Sequence, residues 1–129
     1  MANCLYRAIS LDLCGTQAQH MVVREKIVDI MCRNDHGAFS GYVGEDLGGY
    51  LANNTLRPRS WGTDVEIFAA ATLLQTTIVV YTATATCSPR WLPHPPLFPI
   101  DGVDISEENI YLRNVCGHFE RVVSTAMVV

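Results

Sequence analysis

Residues 68–74, Phe-Ala-Ala-Ala-Thr-Leu-Leu, are apolar almost all round and run directly into the β-branched stretch of residues 76–82. A helix that is hydrophobic on every side must be buried, and a short β-branched run suits a core strand. Just before them, Thr63-Asp64-Val65-Glu66 has the form of a capping box, in which the threonine oxygen and the glutamate each satisfy a free backbone N–H. The pattern predicts a buried helix over residues 64–75, followed by a strand. A chain with this centre has to pack helices on a sheet.

The flanking segments fit that plan. Leu5, Ala8, Ile9 and Leu11 give a helical stripe over residues 4–13, and Gly15-Thr16 supplies a stop and a new cap. Over residues 17–33, Val23, Ile27, Ile30 and Met31 share one face, with Arg24, Glu25, Lys26 and Asp29 elsewhere, as in an amphipathic surface helix. Asn34-Asp35-His36-Gly37 ends it as a turn, a short helix follows at 46–52, and residues 53–62 form a loop. Residues 83–109 carry Ser88-Pro89, Pro93-His94-Pro95-Pro96 and Pro99, too much proline for regular structure, and are expected to form a long connection or a loose hairpin over the sheet. Two strands at 110–112 and 118–123, joined by a turn through 114–117, close the chain. The expected architecture is one α/β domain of the α+β type over residues 1–129, a small central sheet flanked by helices.

Charge narrows the partners. A formal charge of −4 does not give the basic surface that phosphate binding requires, which argues against nucleic acid and suits a basic protein or peptide better. The five cysteines are odd in number, contain no CxxC pair and show no zinc spacing, so they read as reduced thiols with no metal. The longest apolar stretch, residues 68–74, is too short to cross a bilayer and no basic segment leads into a signal-like run. The expectation is an intracellular protein, cytoplasmic or nuclear, without membrane contact. Asn53-Asn54-Thr55 matches a glycosylation sequon by accident on that reading.

Chemistry centres on Cys4, at the point where a loop becomes a helix, with Asn3 as a good cap before it. Unpaired N–H groups and the positive end of the helix dipole favour thiolate there, the reactive form. The competing reading is a half-buried cysteine that only packs. Of the four histidines, His20 lies in a charged helix, His36 in a turn and His94 between prolines, each most simply solvated. His118 opens a strand after a tight turn, and the period of two puts Glu120 on its face, roughly 6.5 to 7 Å along. Nucleophile, base and orienting carboxylate are what acyl transfer needs. Equally, His118 could bond a nearby carbonyl and Glu120 could face solvent.

The stretch Asn3-Cys4-Leu5-Tyr6-Arg7-Ala8 resembles the D-G-N-C-L-F-R-A nucleophile motif of the ovarian-tumour (OTU) family of deubiquitinating cysteine proteases, whose fold is papain-related. Trp61-Gly62-Thr63-Asp64-Val65-Glu66-Ile67 resembles that family's W-G-x-x-x-E-[IL] helix start, and Thr77-Ile78-Val79-Val80-Tyr81 the strand after it. His118-Phe119-Glu120-Arg121-Val122 is similar to its H-[FY]-x-x-V strand. The resemblance implies Cys4 as nucleophile, His118 as base and then acid, and Glu120 as orienting group. It implies an oxyanion loop of Met1, Ala2 and Asn3, a substrate channel shaped by Trp61 and Gly62, and ubiquitin or polyubiquitin as partner, with no cofactor. Glu66 is better explained by the capping box than by catalysis. Met1-Ala2 stands where the motif has Asp-Gly: either the sequence is a piece of a larger protein cut just before the motif, or the divergence is natural. Two functions follow, a cysteine isopeptidase acting on ubiquitin or a related modifier, or a weak or inactive ubiquitin-binding module.

Overall fold

In the computed structural model, residues 4–33, 37–43, 47–51, 64–82, 90–115 and 118–122 are described. Helix α1 spans Cys4–Cys14 and, after a 3-10 turn at Gln17–Gln19, α2 spans His20–Arg33. Thr16 caps that turn by accepting from Ala18 N–H at 3.2 Å, as the Gly15-Thr16 signal predicts. Two short helices follow, α3 (Ala38–Val43) and α4 (Leu47–Tyr50), then α5 (Asp64–Leu74). Strand β1 (Ile78–Thr82) is central, flanked by β2 (Arg90–His94) and β3 (Ile110–Val115), with β4 (His118–Arg121) outermost.

The sheet is mixed, in the order β2-β1-β3-β4. β1 and β3 run parallel with Val80 opposite Leu112, while β2 and β4 are antiparallel to their neighbours. One face of the sheet, with Ile78, Val80, Ile110, Leu112 and Phe119, is buried with α1, α2 and α5, whose Leu5, Ile9, Ile27, Met31 and Ile67 are almost fully enclosed. α5 is the buried helix that its apolar sequence requires.

The end of α5 is set by Gln75, whose φ of 50° lies in the left-handed region that normally selects glycine. Thr76 N–H donates to Ala71 O at 3.1 Å and Gln75 N–H to Thr72 O at 3.3 Å, a Schellman closure. Glutamine is kept there by its buried side chain, whose Nε2 donates to Thr72 O at 2.6 Å and Phe98 O at 3.0 Å. The amide thereby ties the helix end to the segment after β2.

One expectation is corrected. Residues 83–109 are not without regular structure: β2 lies inside them, with Pro93 opposite Val79. Proline is tolerated because β2 is an edge strand, where a missing N–H need not break a ladder. Helix α3 forms in the glycine-containing stretch after the turn, for which no element is expected, anchored by the fully buried Phe39, whose ring meets that of Phe98 edge-on at 5.7 Å. The loop expected at 53–62 and residues 34–36 of the turn expected at 34–37 fall outside the described residues.

Candidate active site

Cys4 is the first residue of α1 and is 4% exposed. Its sulfur accepts a hydrogen bond from the backbone N–H of Phe119 at 3.4 Å, across 115 positions of sequence. The phase of the β3–β4 ladder explains that contact. Val122 N–H donates to Tyr111 O at 2.9 Å, so hydrogen-bonded pairs alternate from Tyr111 and Val122 through Arg113 opposite Glu120 to Val115 opposite His118. Phe119, opposite Asn114, falls in a non-hydrogen-bonded pair, and its N–H points off the sheet edge towards α1. Cys4 covers that outward donor. A second tie, Arg121 Nε to Asp12 Oδ1 at 3.3 Å, joins the far end of β4 to the third turn of α1.

The structure thus brings the Cys4 thiol to the peptide that links His118 to Phe119. His118 begins β4, as the sequence predicts, but opposite Val115: β3 runs to Val115, where a turn from 114 is expected, and the side chain of His118 is outside what is described. Glu120 pairs with Arg113, directly opposite in the register, and both side chains are about half exposed at 43% and 49%. Met1, Ala2, Asn3, Trp61 and Gly62 all lie outside the described residues.

Glu66 occupies the core rather than the surface of α5. It is fully buried, and both its carboxylate oxygens accept from the Tyr50 hydroxyl at 3.0 Å. The capping box itself involves Thr63, outside the described residues. Nearby, the buried Arg24 guanidinium sits 4.1 Å from the centre of the Tyr6 ring. Burial pushes the Tyr6 hydroxyl well above its ordinary pKa; the Glu66 charge pushes it further and Arg24 partly opposes this. This cluster joins α1, α2, α4 and α5 directly behind the turn that carries Cys4.

Two histidines differ from their expected solvated state. His94 is buried at the end of β2, with Nδ1 3.3 Å from Ile78 O, Nε2 3.3 Å from Asp64 Oδ1 and its ring against Phe68. His20 is half-buried at the start of α2, its pKa lowered by burial and then by Arg7 and Arg24. Neither role is visible without knowing that β2 exists or how α1 and α2 meet. Among the described residues no three of His, Cys, Asp and Glu converge as metal ligands, and no helix is long and apolar enough to cross a membrane.

A helix that opens on a thiol leans here on the outer strand of a mixed sheet, an α+β arrangement. The family model of the OTU-like cysteine protease matches residues 2–124, and the chain belongs to that family. It is 30% identical over 127 residues to human OTU domain-containing protein 5, covering 94% of this chain and 20% of that protein. With the Arabidopsis thaliana OVARIAN TUMOR DOMAIN-containing deubiquitinating enzyme 10 it shares 37% identity over 93 residues, 70% of this chain and 25% of that one. The chain therefore spans a fifth to a quarter of these curated relatives. Among solved structures, the OTU domain of OTUD1 superposes with a TM-score of 0.76 at 25% identity, over 95% of this chain and 80% of that one. The viral OTU protease of Dera Ghazi Khan virus shares the fold at a TM-score of 0.72 and 17% identity, over 93% and 73% of the two chains.

Proposed function

We propose that this chain is a cysteine-dependent isopeptidase that removes ubiquitin, or a ubiquitin-like modifier, from lysine side chains. The observation that carries the reading is the hydrogen bond from Phe119 N–H to the Cys4 sulfur, which sets a helix-start thiol beside the backbone of His118. Family membership supplies the reaction class.

On this reading His118 takes the proton of the Cys4 thiol, and the thiolate attacks the carbonyl carbon of the modifier's C-terminal glycine. The resulting oxyanion is held by the backbone N–H of Cys4 and by the loop of Met1, Ala2 and Asn3. His118 then gives its proton to the departing lysine amine, leaving a thioester. Water, deprotonated by His118, attacks the thioester and releases the acid and free Cys4. Glu120 orients the imidazole and stabilises its charged form, and Trp61 with Gly62 shapes the channel for the glycine-rich tail. The setting is an intracellular one, within a larger protein.

The test is a ubiquitin carrying a C-terminal electrophile, offered to the wild type and to Cys4→Ala. A covalent adduct that depends on Cys4 is expected. An adduct that survives Cys4→Ala refutes the nucleophile. Measurable ubiquitin binding without any adduct favours the binding module, the reading that Ala2 in place of the motif glycine supports.

A further inference from the structure

We propose that Arg113 is a positioning residue for the site: it holds the Glu120 carboxylate in place to orient the His118 imidazole. The proposal rests on the assignment of His118 and Glu120 above. Its basis is the β3–β4 register, in which Arg113 and Glu120 are exact partners in a hydrogen-bonded pair and their side chains form an ion pair. Opposed residues in such a pair have Cβ atoms roughly 4.5–5.5 Å apart on the same face, and the strand's period of two sets position 118 on that face as well.

Glutamate is a flexible choice for an orienting group. Its side chain has three torsions, and at 43% exposure it has no tight packing to select one rotamer. A carboxylate that wanders cannot fix a tautomer. The guanidinium of Arg113 supplies a restraint, because its planar fork meets a carboxylate with defined geometry, which a lysine point charge does not. Arg113 Nη2 engages Oε2, and a carboxylate has about four acceptor positions, so this contact does not exhaust the group. The alternative consequence of the same contact is sequestration, in which Arg113 draws Glu120 away from the imidazole. The two make opposite predictions.

The experiment is 15N NMR of the His118 ring in the full chain, compared among wild type, Glu120→Gln, Arg113→Gln and Arg113→Lys, with steady-state kinetics on the same proteins. Positioning predicts one dominant neutral tautomer in the wild type and a mixture in both Glu120→Gln and Arg113→Gln. It also predicts a kcat lowered about two- to five-fold in Arg113→Gln with KM held, the scale of a half-exposed ion pair, and partial recovery in Arg113→Lys. A wild-type tautomer and unchanged or raised kcat in Arg113→Gln, while Glu120→Gln disturbs both, overturns the proposal and leaves the role of Glu120 standing. If Glu120→Gln disturbs neither, Glu120 is not the orienting group and the role of Arg113 falls with it. The ring signal reads the arrangement without needing turnover.

Discussion

Replacing Tyr6 with phenylalanine should stabilise the protein. The Tyr6 side chain is fully buried, and its hydroxyl has no hydrogen-bond partner among the described residues. A buried hydroxyl without a partner costs about 1–3 kcal/mol. Deleting the oxygen leaves a void of roughly 15 Å³, which at ~24 cal/mol per Å³ takes back about 0.4 kcal/mol. The contact of the Arg24 guanidinium with the ring face, 4.1 Å from its centre, survives because it needs only the ring. The net expectation is a gain of about 1 kcal/mol, or roughly 3–5 °C in Tm for a domain of this size. The gain should grow in alkali. The folded-state pKa of Tyr6 is raised, so above the ordinary value near 10 the unfolded chain releases a proton that the folded chain retains, and stability falls with rising pH. Phenylalanine removes that loss, so the difference between variant and wild type should widen from pH 9 upwards. Urea melts at pH 7 and pH 10.5 test both parts. A Tyr6→Phe variant that is less stable at pH 7 would show that the hydroxyl is hydrogen-bonded in the fold and refute the reasoning.

Other expectations are as specific. Gln75→Gly relieves a left-handed non-glycine residue, worth about 1 kcal/mol, but loses the bonds to Thr72 O and Phe98 O, at about 1 kcal/mol each, and buried side-chain packing; denaturant melts should show a net loss of about 1 kcal/mol. Ile67→Ala, near the start of α5 and almost fully buried, should cost about 2–5 kcal/mol, read as a lower urea midpoint at unchanged m. Asp12→Asn should change stability by less than about 1 kcal/mol because its ion pair with Arg121 is partly exposed, and the small effect should shrink further in high salt. His118→Ala should abolish turnover of a fluorogenic ubiquitin substrate while leaving the thermal melt within about 1 kcal/mol of wild type, whereas an unchanged rate rules out its role as base.

The helices and central strands were legible because their signals are local. The all-apolar run of α5, the β-branched β1 and the stripe of α1 each carry their periodicity within a dozen residues. β2 was not legible because its prolines argue against a strand, and only its place at the sheet edge removes the objection. With β2 missed, the burial of His94 was beyond reach. α3, with Ser40 and Gly41 at its middle, exists through a tertiary contact of Phe39 that no propensity reports. The pairing of Arg113 with Glu120 depends on a register that sets Val115 against His118 and, two steps on, Arg113 against Glu120, which a turn expected at 114–117 does not give. The sequence places Cys4 at a helix start and His118 at a strand start, as the structure has them, and what it could not supply was the phase of the β3–β4 ladder.

That phase links stability to chemistry. β4 is an edge strand, and an uncovered edge leaves backbone donors free to recruit another chain. Here the N–H of Phe119 is instead met by the first side chain of α1, and the ion pair of Asp12 with Arg121 fixes the helix against the strand two positions on. The same contact that blunts the edge therefore holds a helix-start thiol against the strand that begins with His118. A slip of β4 by one residue would turn the Phe119 N–H into the ladder and carry Glu120 away from Arg113 in the same movement. Register, rather than either residue alone, is what keeps the Cys4 thiol and the His118 strand in their present relation.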